Sequence, residues 1–273
     1  MKIGILIKLE KDVYNCIAHA AELGFKRAQL SVWDMSLYTK ENAELIKKAC
    51  SDFDFEITAV WCGWSGPVDW GYPNMYATIG IVPAAWRSQR VKELLDGAEF
   101  ARELGVKDII THVGFLPDNP FQEERIGVAQ AVRYICKTIE KYNQRFLFET
   151  GEELPYTLIQ LIKEIGAENI GVNFDPANLI INGRANPIDA LEVLGSYVCG
   201  VHGKDGIRAK GDSPKGAEVM VGQGIVNFPA FIAKLAEIGY EGDITIEREI
   251  PNGEERDRQI CEEKEYLEKL INL

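Results

Sequence analysis

Short apolar runs alternate along the chain with longer stretches whose apolar residues recur every three or four positions. The runs are KIGILI (2–7), RAQLSV (27–32), EITAVWCG (56–63), DIITHVG (108–114) and RFLFET (145–150). Three more lie within IGVNFDPAN (170–178), VCGVHGKD (198–205) and DITIERE (243–249). Their length and composition predict strands, and their continuity predicts strands covered on both faces, as in a parallel sheet. The intervening segments carry a helical period. In DVYNCIAHAAELGF, Val13, Cys16, Ile17 and Ala20 share one face and Gly24 marks the stop. ENAELIKKACSDF, WRSQRVKELLDGAEFARELGV, EERIGVAQAVRYICKTIEKY, LPYTLIQLIKEIG, FPAFIAKLAEIGY and EERDRQICEEKEYLEKLINL predict helices too, and PIDALEVLGSY predicts one that opens on Pro187.

Eight strands, each followed by a helix, predict an α/β fold of one domain spanning 1–273: a (β/α)8 TIM barrel, which usually takes about 250 residues. An open doubly wound sheet would want a glycine-rich turn after the first strand, and KIGILIKLEKD has none. One interval breaks the rhythm. GWSGPVDWGYPNMYATIGIVP runs for about twenty residues, rich in Gly, Pro and aromatics, a length that predicts a lid or binding loop.

Composition narrows the function. The apolar and charged fractions, 46% and 26%, suit a globular protein, and no low-complexity tract divides the chain. The net charge of −12, without a basic stripe, excludes a nucleic-acid backbone and disfavours an anionic membrane surface. It favours a small neutral substrate or a bound cation. Six scattered cysteines with no CxxC pair point to free thiols in a reducing compartment. No segment has the length of a membrane span and the first residues lack a signal-peptide core, so a cytoplasmic location is expected.

In a barrel of this kind chemistry gathers at the C-terminal ends of the strands. The fourth predicted strand ends at His112, the fifth at Glu149, and the sixth at Asp175 and Asn178. The seventh ends in His202, Lys204 and Asp205, and the eighth in Glu247 and Glu249. A charged residue after several apolar ones is costly to bury unless paired or metal-bound. One such end can turn to solvent, but four consecutive ones point to a shared site. Three carboxylates and one imidazole form a mostly oxygen donor set, suited to one divalent cation: Mn2+ first, with Mg2+, Co2+ or Zn2+ also fitting.

The segments ETGEE, GVNFDPANLI, GVHGKDGIR and GYEGDITIERE, in this order and spacing, resemble the xylose-isomerase-like sugar isomerase/epimerase barrels. The ketose 3-epimerases are the best-matched branch, and the resemblance covers essentially the whole chain. It implies that Glu149, Asp175, His202 and Glu247 hold one divalent metal, and that Arg208 contacts substrate hydroxyls. It also implies a metal-polarised ketose and an enediolate, with Glu149 removing a proton on one face and Glu247 returning it on the other. A dimer or tetramer is typical of such relatives.

The chain departs from that pattern in two places. Asn178 stands where several ketose epimerases have a histidine, and Lys204–Asp205 differ from the simple ketohexose epimerases. Lys204 is read as a contact to a substrate oxygen, an acid, or a partner of Asp205 or another carboxylate. His112 is either a substrate contact or a satisfied core histidine. Trp33 and Trp61, with Trp64 and Trp70 nearby, offer aromatic walls for a sugar or ordinary packing. Glu153 is expected to orient Lys204 or a substrate hydroxyl. GQGIVNF (222–228) is expected to be structural, and His19 to lie at the surface.

The resulting expectation is an epimerase or isomerase of a ketose or keto-sugar. A lyase or dehydratase on the same ligands is the alternative, and a non-catalytic sugar-binding barrel a further one. A DNA-repair nuclease of this fold, endonuclease IV, needs a trinuclear zinc cluster, and three histidines cannot supply it.

Overall fold

The computed structural model describes residues 1–272. Its strands are β1 (Lys2–Lys8), β2 (Arg27–Val32), β3 (Glu56–Cys62), β4 (Asp108–Thr111), β5 (Arg145–Glu149), β6 (Ile170–Phe174), β7 (Val198–Gly203), β8 (Asp205–Ile207), β9 (Ala217–Val219) and β10 (Asp243–Ile246). Eight of them pair in parallel in the order β1-β10-β7-β6-β5-β4-β3-β2, and β2 pairs back to β1, closing the barrel. The helices are α1 (Val13–Glu22), α2 (Lys40–Phe53), α3 (Met75–Thr78), α4 (Ala84–Leu104), α5 (Glu123–Ile139), α6 (Pro155–Ile165), α7 (Pro176–Ile181), α8 (Pro187–Leu194), α9 (Phe228–Glu237) and α10 (Glu254–Ile271). No helix among the described residues is long and apolar enough to cross a membrane.

Side chains alternate strictly between the two surfaces of the barrel wall. Ile5, Leu30, Val60, Ile109, Phe148, Val172, Val201 and Ile244 join the large core between wall and helices. Leu6, Ala59, Trp61, Ile110 and Leu147 form a separate cluster inside the barrel. A strand's side chains alternate with period two, so counting by twos from the inward positions assigns each strand end to the lumen or to the outside. Glu149, Asp175, His202, Lys204 and Glu247 all fall on inward positions, and Asp205 falls outward. The lumen is tight at its centre: a Cβ on Gly200 would lie 2.3 Å from Asn173 Oδ1.

The expected barrel is present, with differences at its mouth. β4, β5, β7 and β10 stop before the ends of the apolar runs, where the chain leaves the ladder to carry polar side chains over the opening. Two elements were not expected. α7 begins directly behind Asp175, and β8 and β9 pair as a small antiparallel hairpin after β7. The long loop after β3 contains α3 and is anchored by Arg90. That fully buried guanidinium donates to the carbonyls of Thr78 (2.7 Å), Gly80 (2.6 Å), Pro67 (2.9 Å) and Ser65 (3.3 Å), with Trp64 and Trp86 against it. In α1 the buried face is Val13, Ile17, Ala18 and Ala20, and Cys16 is only half-buried. All six cysteines are free thiols.

Candidate metal centre

Strands β5, β6, β7 and β10 are consecutive neighbours in the wall, so their ends bring Glu149, Asp175, His202 and Glu247 together. One donor atom from each lies within 4.8 Å of the others, and all four residues are buried. His202 Nδ1 stands 3.0 Å from Glu247 Oε2, 3.1 Å from Glu149 Oε1 and 3.5 Å from Asp175 Oδ2.

Asp175 divides its two oxygens. Oδ1 caps α7, accepting from the backbone N–H of Ala177 (2.8 Å) and Asn178 (2.9 Å), which leaves Oδ2 facing the cluster. On the far side of the imidazole, Nε2 lies 2.9 Å from Gln29 Oε1 and 3.0 Å from Asn173 Nδ2. With the Nε2 proton donated to Gln29, the Nδ1 lone pair points at the three carboxylates, the arrangement that orients a metal-ligating histidine. Glu149 Oε2 accepts from the Trp61 indole N–H.

The donors fit a divalent cation. His202 Nδ1 and Asp175 Oδ2 are buried with no hydrogen-bond partner among the described residues. Three carboxylate oxygens and one imidazole nitrogen suit Mn2+ or Mg2+. In the protein alone the crowding perturbs every member. Burial opposes charge on His202, but Glu149 and Glu247 outweigh it and hold the imidazolium well above its ordinary pKa. Burial raises Glu247, yet Lys204 and His202 bring it well below the carboxylate range. Glu149 is likewise lowered, by His202 and His112 against burial. Asp175 is raised, burial prevailing over Lys204 and His202.

Lys204 is fully buried and joins this group. Its Nζ donates to Glu247 Oε2 (3.1 Å) and Asn178 Oδ1 (3.3 Å), and lies 3.1 Å from Glu249 Oε2 and 3.7 Å from Asp175 Oδ2. Asp205 does not pair with it. Its Oδ1 accepts from the N–H of Gly206 (2.8 Å) and Val226 (3.1 Å), and its Oδ2 from Gly222 and Gly224 (3.0 Å each). Asp205 thus builds the GQGIVNF loop, where a Cβ on Gly224 would lie 2.0 Å from Oδ1. Asn178 sits between Lys204 and Glu149, its Nδ2 3.5 Å from Glu149 Oε1.

A cavity of about 320 Å³ opens beside the cluster, with Trp33, Trp61, Trp70, His112, Glu247 and Arg256 in its walls. Trp33 and Trp61 pack with ring centroids 5.2 Å apart, and the edges of Trp61 and Trp70 meet His112 at 5.6 and 5.4 Å. His112 is buried, its Nε2 3.6 Å from Glu149 Oε1 and its Nδ1 2.9 Å from Glu152 Oε2. Burial opposes its charge, but Glu152 and Glu149 push its pKa up to about 10. A larger cavity, about 430 Å³, occupies the opposite mouth, where Arg27 pairs with Asp243 and Arg145 with Asp108. Those paired charges leave that end without the orphaned donors of the cluster.

Glu153 and Arg208 form no ion pair with the cluster. Glu153 is buried beside Glu152, without a hydrogen-bond partner and away from Lys204, and burial with Glu152 pushes it up to about 8. Arg208 directly follows β8, is exposed, and forms no hydrogen bond or ion pair with the cluster. His19 lies at the surface against Asp257, as expected. Gln29, Asn173 and Glu152 were not anticipated. The first two are polar residues at inward positions of strands β2 and β6, a signal visible in the sequence.

A family profile described as xylose isomerase-like TIM barrel matches residues 17–270. The uncharacterized protein MJ1311 of Methanocaldococcus jannaschii is 26% identical over 288 residues, spanning 98% of this chain and 90% of that protein. The crystal structure of a xylose isomerase domain protein from Planctomyces limnophilus superposes with a TM-score of 0.89 at 28% identity, covering 98% of this chain and 95% of that one. A D-tagatose 3-epimerase-like protein superposes at 0.79 with 22% identity, covering 100% and 97%. The match to the profile over nearly the whole barrel shows that the chain belongs to the xylose isomerase-like TIM-barrel family.

Proposed function

We propose that the protein is a divalent-metal-dependent epimerase or isomerase of a ketose or keto-sugar. The observation that carries the reading is that Glu149 and Glu247 belong to one buried cluster yet come from strands separated by β6 and β7. They approach a common centre from different sides, as removal and return of a proton on opposite faces of a carbon requires. Glu149, Asp175, His202 and Glu247 would hold the metal, Mn2+ by preference, with Mg2+, Co2+ or Zn2+ also accommodated. When bound, such a cation supplies Lewis-acid polarisation of a carbonyl and its neighbouring hydroxyl.

The chain's own groups do the rest. Glu149, steadied by the Trp61 N–H, takes the proton from the carbon beside the carbonyl. Glu247, which lines the cavity, returns a proton to the other face, and the two exchange roles in the reverse direction. The indoles of Trp33 and Trp61 give the sugar an apolar wall, and Asn178 and Lys204 offer donors to its oxygens. A lyase of the same fold is the second reading. It is favoured by Lys204, whose buried ammonium beside the cluster could protonate a departing hydroxyl.

Metal analysis tests the reading. Purified protein should carry about one divalent ion per chain, and His202→Ala should lose it together with activity on a ketose panel. An enzyme that is active without metal and indifferent to EDTA would overturn it. Deuterium uptake from solvent at a ketose carbon without loss of water supports the epimerase or isomerase; an unsaturated product supports the lyase.

A further inference from the structure

Glu152 is a buried carboxylate for which neither the metal cluster nor the proposed proton transfers has a use. It stands one turn of loop beyond Glu149, with its side chain 1% exposed, and the charged group it meets is His112 at 2.9 Å. Both Glu152 Oε2 and His112 Nδ1 are buried without a hydrogen-bond partner among the described residues, so this close pairing of charges is the contact that each of the two atoms has. A buried carboxylate is costly to keep without a partner, so its placement against one particular nitrogen has a consequence. The imidazole is clamped edge-on by Trp61 and Trp70, and its other nitrogen lies on the cavity side, 3.6 Å from Glu149 Oε1.

We propose that Glu152 is a positioning residue. It keeps a proton on Nδ1 of His112 and fixes the ring so that Nε2 faces the cavity, where it meets the substrate oxygen next to the carbon that Glu149 deprotonates. The second half of this statement rests on the ketose reading above; the hold of Glu152 on His112 does not. The segment ETGEE then carries two carboxylates with separate tasks, Glu149 toward the metal and Glu152 toward the ring that flanks it. A carboxylate behind a histidine sets the ring's tautomer and orientation in many polar sites, with effects of the size seen when a ligand's supporting partner is removed.

The chain has three histidines, so 15N-imidazole NMR of the full-length, Mg2+-loaded protein resolves each ring, with His19→Gln and His112→Gln supplying assignments. In the wild type, Nδ1 of His112 should carry a proton. It should keep that proton in Glu152→Gln, whose amide oxygen still accepts, whereas in Glu152→Leu the ring should give up the Nδ1 proton and keep the one on Nε2, the nitrogen near Glu149. Glu152→Leu should retain its metal while kcat on the fastest ketose of the panel falls about 10–100-fold, with KM within about 3-fold and most activity restored in Glu152→Gln. An unprotonated Nδ1 in the wild type overturns the proposal without any variant. So does a Glu152→Leu ring spectrum identical to wild type, or metal lost in step with activity. Ring signals as expected in a protein that turns over no ketose would uphold Glu152's hold on His112 and sink the ketose reading instead.

Discussion

Asp205→Asn separates frame from chemistry in the HGKD segment. The carboxylate receives four backbone N–H groups, two on each oxygen, at 2.8–3.1 Å. An asparagine keeps one acceptor oxygen. Whichever way its amide turns, an NH2 faces two N–H donors, so two charge-assisted bonds are lost and two donors are left unmet. At about 1.5–3 kcal/mol per bond to a charged group, and allowing for non-additivity, the loss is about 3–5 kcal/mol. For a chain of this size 1 kcal/mol moves Tm by about 2–4 °C, so the melting temperature should fall by roughly 10 °C. Thermal unfolding followed by circular dichroism at saturating metal measures it. Metal content and kcat below the transition should stay near wild type, because Asp205 points out of the lumen while His202 and Lys204 point in. A variant with unchanged Tm, or a stable variant that has lost its metal, would refute the assignment.

Three further outcomes are expected. In the protein alone Glu149 and Glu247 raise the His202 pKa above its ordinary value and favour the imidazolium, so metal uptake should release protons, read by calorimetry in buffers of different ionisation enthalpy; uptake without proton release contradicts the ligand assignment. Burial pushes Glu263 up to about 7 from its ordinary 4.5. The folded chain therefore holds that proton more tightly than the unfolded chain, and the associated stability, about 3 kcal/mol, is full below about pH 4.5 and lost as pH rises through 7. Glu263→Gln, which can still accept from the Val221 N–H, should match wild type near pH 5 and exceed it near pH 8.5 in urea midpoint; parallel pH profiles would refute this. Arg90→Met strips the donors from four loop carbonyls and should cost about 3–5 kcal/mol, with new proteolytic cleavage within residues 63–83; a loop that stays resistant would show that Arg90 does not anchor it.

The barrel was legible because its strands are apolar on both faces and alternate with helices of clear period. The four positions of the buried cluster were legible because a charge at the end of an apolar run has few other uses. What escaped has physical causes. α7 has six residues and β8 and β9 three each, too few to display a period. Gln29 and Asn173 are polar residues within strands, and only the closed barrel brings them to the same imidazole nitrogen. In ETGEE the spacing does not say which glutamate turns toward His112, and Glu152 rather than Glu153 is the one near it.

Lys204 and Asp205 follow from the same geometry. Lys204 stands two positions after His202, so both enter the lumen, and one more position sends Asp205 outside. A buried lysine beside a metal site looks self-defeating, since ammonium and cation repel. The three carboxylates remove the contradiction. With Glu149, Asp175 and Glu247 ionised and His202 neutral, one divalent cation leaves a single negative charge in a buried space, and Lys204 cancels it. Without the cation His202 takes up a proton instead, which halves the deficit and accounts for its raised pKa. Lys204 would therefore be part of the charge balance that lets three carboxylates share one buried cation, whatever contact it would also make with a substrate oxygen. On the proposed function, a neutral sugar would enter such a balanced site without a charge penalty, and negative charge developing on its oxygens during proton removal would have an ammonium within reach.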